Sequence, residues 1–355
     1  MAYHFRNLVF EGGGVKGIAY VGALEILARK KILADVERIG GTSAGAITAA
    51  LVGLGYSTKQ IREILWDLDF RKFLDDSWGV VRDTKRLVNE FGWYKGDFFR
   101  TWIGDRIRER TENEHTTFRD VDHWIREGRS EFRHLYFIGT NLSTGFAEIF
   151  SHEHTPRMPI ADAVRISMSL PLFFTAKRSV RGDVYVDGGM LDNYPIKLFD
   201  RRKYVESHCI EDRDYYVGHN ETLKERGFVD EKGISEYVYN QETLGFRLDT
   251  RAEIAAFRDQ AEPPRRVIGD FFDYAGGLVG TLLNVQQSIH LHSDDWHRTI
   301  YIDTLDVGTT DFDLDEGRKK ALVESGRDGT KKYFEWYDGA PDEETVWNRP
   351  VPKGE

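Results

Sequence analysis

The chain has 355 residues, 40% of them hydrophobic and 30% charged, which is a globular balance and excludes wholesale disorder. Its 49 Lys and Arg against 59 Asp and Glu give a formal net charge of −10, which argues against a general affinity for nucleic acid, since that needs a basic footprint. A lone cysteine, Cys209, excludes an intramolecular disulfide framework, and no stretch approaches the roughly 20 apolar residues needed to span a bilayer.

In chain order, residues 7–11 read as a short buried strand running into Gly12-Gly13-Gly14. Ile18, Val21, Ala23, Leu24 and Leu27 then recur at helical spacing across 16–30. Residues 36–39 predict a second strand closed by Gly40-Gly41, and 44–54 a helix apolar on all sides and therefore buried. Amphipathic helices follow at 58–68 and 98–110, strands at 135–140 and 147–150, and a helix at 160–167. A strand at 183–186 ends in Asp187-Gly188-Gly189. This alternation points to an α/β fold whose sheet is covered on both faces. Residues 201–265 are highly charged and aperiodic, and read as a charged insertion or elaborated loop. Phe271, Ala275, Leu278, Leu282, Val285 and Ile289 mark a helix with one apolar stripe, ahead of a strand at 299–303 and a closing helix at 316–333. One domain is expected: a catalytic core at 1–200, the insertion at 201–265, the rest of the same domain at 266–340, and a tail at 341–355.

Gly12-Gly13-Gly14-Val15-Lys16-Gly17 satisfies G-x-G-x-x-G, which alone suggests a dinucleotide-binding turn. That reading requires an acidic residue at the end of the next strand. Glu37 falls too early, and the strand's end carries Gly41-Thr42-Ser43-Ala44-Gly45 instead. This is G-x-S-x-G between a strand and a helix, where glycines allow a strained turn that exposes a serine hydroxyl at a helix N-terminus. Ser43 is the candidate nucleophile. An acyl-transfer enzyme also needs backbone N–H groups aimed at the developing oxyanion, and Gly13 and Gly14 at a helix start are candidates. Lys16 would lie near the acyl carbonyl or a head-group phosphate, or be exposed. The competing structural reading is that both glycine turns only permit close helix–sheet packing.

Serine needs a base, and the residues leave two choices. Asp187 ends a strand among small residues, whereas His208, His219, His290, His292 and His297 lie downstream, where a Ser-His-Asp triad in α/β-hydrolase order would place its histidine. His152-Glu153-His154 has a metal-like look but reads as a surface loop near Pro156, and no His/Cys cluster has zinc spacing.

With these signatures in this order, the chain resembles the patatin-like phospholipases, which share G-G-G-x-[KR]-G, then G-x-S-x-G, then D-G-[GA]. Here these are Gly12 to Gly17, Gly41 to Gly45, and Asp187 to Gly189. The resemblance extends to Ser167-Met168-Ser169-Leu170-Pro171, where Ser169 replaces a small apolar residue, and to Asn193-Tyr194-Pro195. It implies a three-layer α/β/α fold with a mostly parallel central sheet, and a dyad in which Asp187 takes the Ser43 proton directly. Gly12, Gly13 and Gly14 would line the oxyanion hole, with Lys16, Gly17, Gly41, Gly45, Gly188 and Gly189 supporting the motifs. It further implies hydrolysis of lipid carboxylic esters with no cofactor or metal, and transient contact with a membrane surface. The alternatives carried forward are a triad esterase and a catalytically silent binding protein on the same fold. The expected location is cytoplasmic or peripheral to a membrane, with signal-independent export left open.

Overall fold

Two short and largely buried strands, separated by a helix, are enough to start a parallel sheet. The computed structural model describes residues 3–73, 87, 89–206, 209–211, 213–227, 236–251, 253, 265, 267–291 and 294–339. In it β1 (Asn7–Phe10) pairs in parallel with β2 (Arg38–Gly41) through α1 (Tyr20–Arg29), and α2 (Ala44–Gly53) follows at once. The start of the first helix is not α-helical as expected from residue 16: Gly14–Ala19 form a 3-10 turn, and the α-helix begins at Tyr20. β2 also begins two residues later than expected. Both Glu37 and Arg38 N–H groups donate to Arg6 O, so ladder pairing starts only at Arg38. Gly40 and Gly41 are therefore inside the strand, where a missing Cβ admits close neighbours such as Leu198.

The amphipathic helices α3 (Thr58–Trp66), α4 (Asp97–Thr111) and α5 (Phe118–Arg126) come next. Ser57 and Thr117 each close a capping box at the start of α3 and α5. The hairpin of β3 (His134–Asn141) and β4 (Phe146–Ser151), then α6 (Ile160–Ser167), β5 (Lys177–Arg178) and β6 (Val184–Asp187), complete the first part of the chain. α7 (Asp214–Glu225) follows. β7 (Thr243–Asp249) lies within the stretch read as a charged insertion, yet it pairs with β1 and is buried throughout. α8 (Phe271–Leu291), β8 (Thr299–Asp303) and α9 (Glu316–Tyr337) close the described chain.

The eight-stranded sheet runs β8-β7-β1-β2-β3-β6-β5, with β4 on β3. β8, β7, β1, β2 and β3 are mutually parallel; β4 and β6 run antiparallel to β3. Helices flank the sheet to give a three-layer α/β/α fold. α1 and α9 cross closely: a Cβ on Gly22 would sit 1.9 Å from Val323 O of α9, and one on Gly326 2.0 Å from Ala19 O, just ahead of α1. Among the described residues no helix is long and apolar enough to cross a membrane.

One detail of register positions everything that follows. β4 occupies one edge of β3 over residues 136–141, so β2 and β6 must share the other edge. β2 takes it from His134 to Phe137 and β6 from Asn141 back to Gly139. The two strands run toward each other and their C-terminal ends meet at Ile138. Gly188 packs there so closely that a Cβ would lie 2.3 Å from Ile138 O.

Candidate active site

The head-on meeting of β2 and β6 brings Ser43 and Asp187 together from opposite directions. Ser43 follows β2 at φ 53°, ψ −127°, a conformation rare for an L residue, and α2 begins at the next position. Gly41 and Gly45 make this turn possible: a Cβ on Gly45 would lie 2.3 Å from Phe10 O, and one on Gly41 would meet the Gly45 carbonyl. The Ser43 N–H donates to Ser167 Oγ at 3.0 Å, and Ser43 Oγ lies 3.7 Å from Met168 Sδ. The Asp187 N–H donates to Ser169 O at 2.9 Å. The end of α6 therefore braces both members of the pair. Ser169 has a further task the sequence did not disclose: its hydroxyl bonds the fully buried Arg165 guanidinium, which also reaches Gly96 O and Lys95 O.

Asp187 is 1% exposed. Its Oδ1 accepts from Gly189 N–H at 2.7 Å, while Oδ2 is buried with no partner of good hydrogen-bond geometry. Burial pushes this carboxyl up to about 7, against opposing pulls from the Gly189 N–H and the Ser43 hydroxyl, the latter near enough to weigh on it. No imidazole touches either residue among those described. His219 stacks on Tyr215 and lies edge-on to Tyr237, and His297 packs against Trp296 and Trp336. The side chains of His208, His290 and His292 lie outside the described residues.

The glycine run is adjacent. A Cβ on Gly12 would lie 2.9 Å from Ser43 Cβ. Its N–H, however, is committed to Asn193 O at 3.0 Å, so Gly12 can line the site but has no N–H to spare for an oxyanion. No loop or turn hydrogen bond takes the Gly13 or Gly14 N–H among the described residues. Gly14 has φ +55° with Thr309 O against its Cα, a position closed to a side chain. Gly17 packs against Ala44, tying the two glycine turns together. Lys16 is not exposed: it is 7% exposed and its Nζ lies 3.4 Å from Leu248 O.

Beneath the loop lies a polar clamp whose roles the sequence reading missed. Glu11 Oε1 accepts from Asn193 Nδ2, which also donates to Gly12 O, and Glu11 Oε2 accepts from Leu248 N–H at 2.7 Å. Glu11 is fully buried, and that burial raises its carboxyl. A glutamate ending a four-residue apolar strand was the available signal.

α8 packs against the Asp187 turn. Leu283 of α8 lies against Gly189, and Ala275, Val279 and Leu283 are buried. The apolar stripe expected to face one way is divided: Ala275 is inside, whereas Phe271, Leu278 and Leu282 are exposed. The side chains of Val285 and Ile289 lie outside the described residues.

Comparison with known proteins gives the family and the fold. A family model described as patatin-like phospholipase matches residues 8–200. The protein YqhO of Bacillus subtilis, described as uncharacterized, is 29% identical over 92% of this chain and 97% of its own length. A protein of Invertebrate iridescent virus 6, described as a probable lipid hydrolase, is 25% identical over 55% of this chain and 63% of its own. The crystal structure of VipD from Legionella pneumophila matches 94% of this chain and 67% of its own, with a TM-score of 0.59 at 19% identity, a likeness of fold.

Proposed function

The chain belongs to the patatin-like phospholipase family, and from that premise we propose that it hydrolyses lipid carboxylic esters with Ser43 as nucleophile and Asp187 as base. The observation that carries this reading is the strained Ser43 elbow beside an Asp187 oxygen that has no other partner. A buried carboxyl near 7 is a far better proton acceptor for a serine than an ordinary aspartate.

In the first step Ser43 Oγ attacks the ester carbonyl as its proton passes to Asp187 Oδ2. The carbonyl oxygen becomes an oxyanion, and the Gly13 and Gly14 N–H groups are the donors we assign to it. Collapse breaks the ester C–O bond, and the Asp187 carboxyl returns its proton to the leaving alkoxide. Water then attacks the Ser43 ester, giving its proton to Asp187; collapse breaks the bond from the acyl carbon to Ser43 Oγ, Asp187 returns the proton to that oxygen, and the fatty acid leaves. A Ser-His-Asp triad is the less favoured reading, since Asp187 meets no imidazole among the described residues. A silent binding protein would have no use for the strain at Ser43.

The substrate must reach a serine that is 3% exposed, beside an Asp187 turn against which α8 packs. Phe271, Tyr274, Leu278 and Leu282 form an outward apolar row on that same helix, continued by the exposed Val267 and Ile268. We assign this row to contact with the lipid surface, so that docking and uncovering of the site are one event. Leu278→Ser with Leu282→Ser should cut binding to phosphatidylcholine vesicles several-fold while moving the melting temperature little, because both side chains are over 40% exposed. Undiminished vesicle binding, or a collapse in melting temperature, would count against the surface role.

A further inference from the structure

His152 is an anomaly outside the hydrolytic site. Its ring stacks on His134 with centroids 4.2 Å apart, and its side chain is 16% exposed. Yet Nδ1 is buried with no hydrogen-bond partner, and Nε2 stands 3.9 Å from Asp122 Oδ1, too far for a hydrogen bond. Nε2 is thus turned toward a carboxylate that it does not bond. Its surroundings supply further donors. His134 Nε2 lies 3.2 Å from the same Asp122 Oδ1, and one donor atom from each of the three side chains falls within 4.8 Å of the others.

We propose that Asp122, His134 and His152 form a binding site for a zinc-like divalent cation that clamps α5 to the start of β3 and the exit of β4. Bonds of about 2.0–2.2 Å to a tetrahedral ion set the donors roughly 3.3–3.6 Å apart. The observed 3.2 Å and 3.9 Å lie on either side of that value. Two imidazoles and one carboxylate suit zinc and its first-row neighbours, whereas magnesium and calcium prefer oxygen alone. Three protein donors leave a position for water.

Burial holds both imidazoles below their ordinary pKa, His152 at about 4. The facing charges are mixed: Asp122 and Glu153 favour protonation, while Arg38 acts against it at His134, and His134 and Arg126 act against it at His152. Arg126 is also the rival cation, with Nε 3.2 Å from Asp122 Oδ1 and Nη2 3.0 Å from Oδ2. Its side chain is 73% exposed at the end of α5, so it can leave for solvent at little cost.

The site stands apart from the chemistry. His134 begins β3, three residues before Phe137, which is level with Gly41, a drop of roughly 10 Å along the strand away from Ser43. The clamp is structural. The His152-x-His154 pattern pointed at the right residue with the wrong partner: His154 Nδ1 lies 2.8 Å from Ser151 Oγ.

The full chain, stripped with chelator, should be titrated with Zn²⁺ by calorimetry and followed by thermal melting. One equivalent should bind and raise the melting temperature, and Co²⁺ should give the visible absorption of a tetrahedral site. His134→Ala and His152→Ala should each weaken binding roughly 100-fold. Arg126→Ala should tighten it several-fold by removing the competitor. Zn²⁺ uptake and a melting shift that persist in a folded His134→Ala/His152→Ala double variant would overturn the proposal. So would a failure of both the wild type and Arg126→Ala to take up the ion.

Discussion

Ser43→Ala should abolish ester hydrolysis, with turnover falling at least about 10,000-fold, and should leave the protein unlabelled by a fluorophosphonate that labels the wild type. The expectation rests on position as much as on chemistry. Ser43 is held at φ 53° between a strand and a helix, where no structural need calls for a side chain. Such a conformation costs of order 1–3 kcal/mol for a non-glycine residue. Ser43→Gly should therefore be equally inactive yet melt higher than wild type, a rise that Ser43→Ala should not show. Labelling that moves to another serine in Ser43→Ala would end the assignment.

Asp187→Asn should lower turnover on the order of 10,000-fold, because it preserves shape and removes the proton acceptor. In the wild type, kcat/KM should fall as pH drops below about 7, where burial places the Asp187 ionisation and the base becomes protonated. Stability should move the other way. A carboxyl whose native pKa is raised binds a proton that the unfolded chain releases, so its contribution is full below pH 4 and is lost as pH rises through 7. Across that window the wild type should lose stability relative to Asp187→Asn, which carries no such proton. Glu11, raised in the same direction, slopes alike in both proteins. His219→Ala and His297→Ala, tested beside it, should retain most activity; loss of turnover in either, with the fold intact, would reinstate a triad.

The parts of this molecule that were legible in the sequence are those in which chemistry is written locally. The Ser43 elbow, the glycine run and the Asp187 turn each occupy a few consecutive residues, and the strands and helices around them keep a clean apolar period. What escaped was written across distance. β7 lay unrecognised within the charged stretch 201–265, yet its Arg247 is fully buried and bonds Asp249 at 3.0 Å. Lys16 looked free for a head group, and only the fold shows Leu248 O beside it. The α8 period gave a stripe but not which way it faces, since apolar residues occur nearly all round that helix. Asp122, His134 and His152 come from three elements, so no spacing could connect them.

The place of β7 has a consequence for how the chain can be divided. A polypeptide stopped at residue 200 would retain all of the stretch that defines its kinship, together with Ser43 and Asp187. It would still lack the strand that fills one side of β1, leaving the hydrogen-bonding groups of Asn7–Phe10 bare along that side. Bare edges of this kind recruit other chains. The glycine loop would lose Leu248, whose side chain packs against Gly13 and whose N–H holds Glu11. Such a fragment is expected to aggregate rather than act as a smaller enzyme, because the loop beside the proposed Ser43–Asp187 pair would lose the support of residues 243–249.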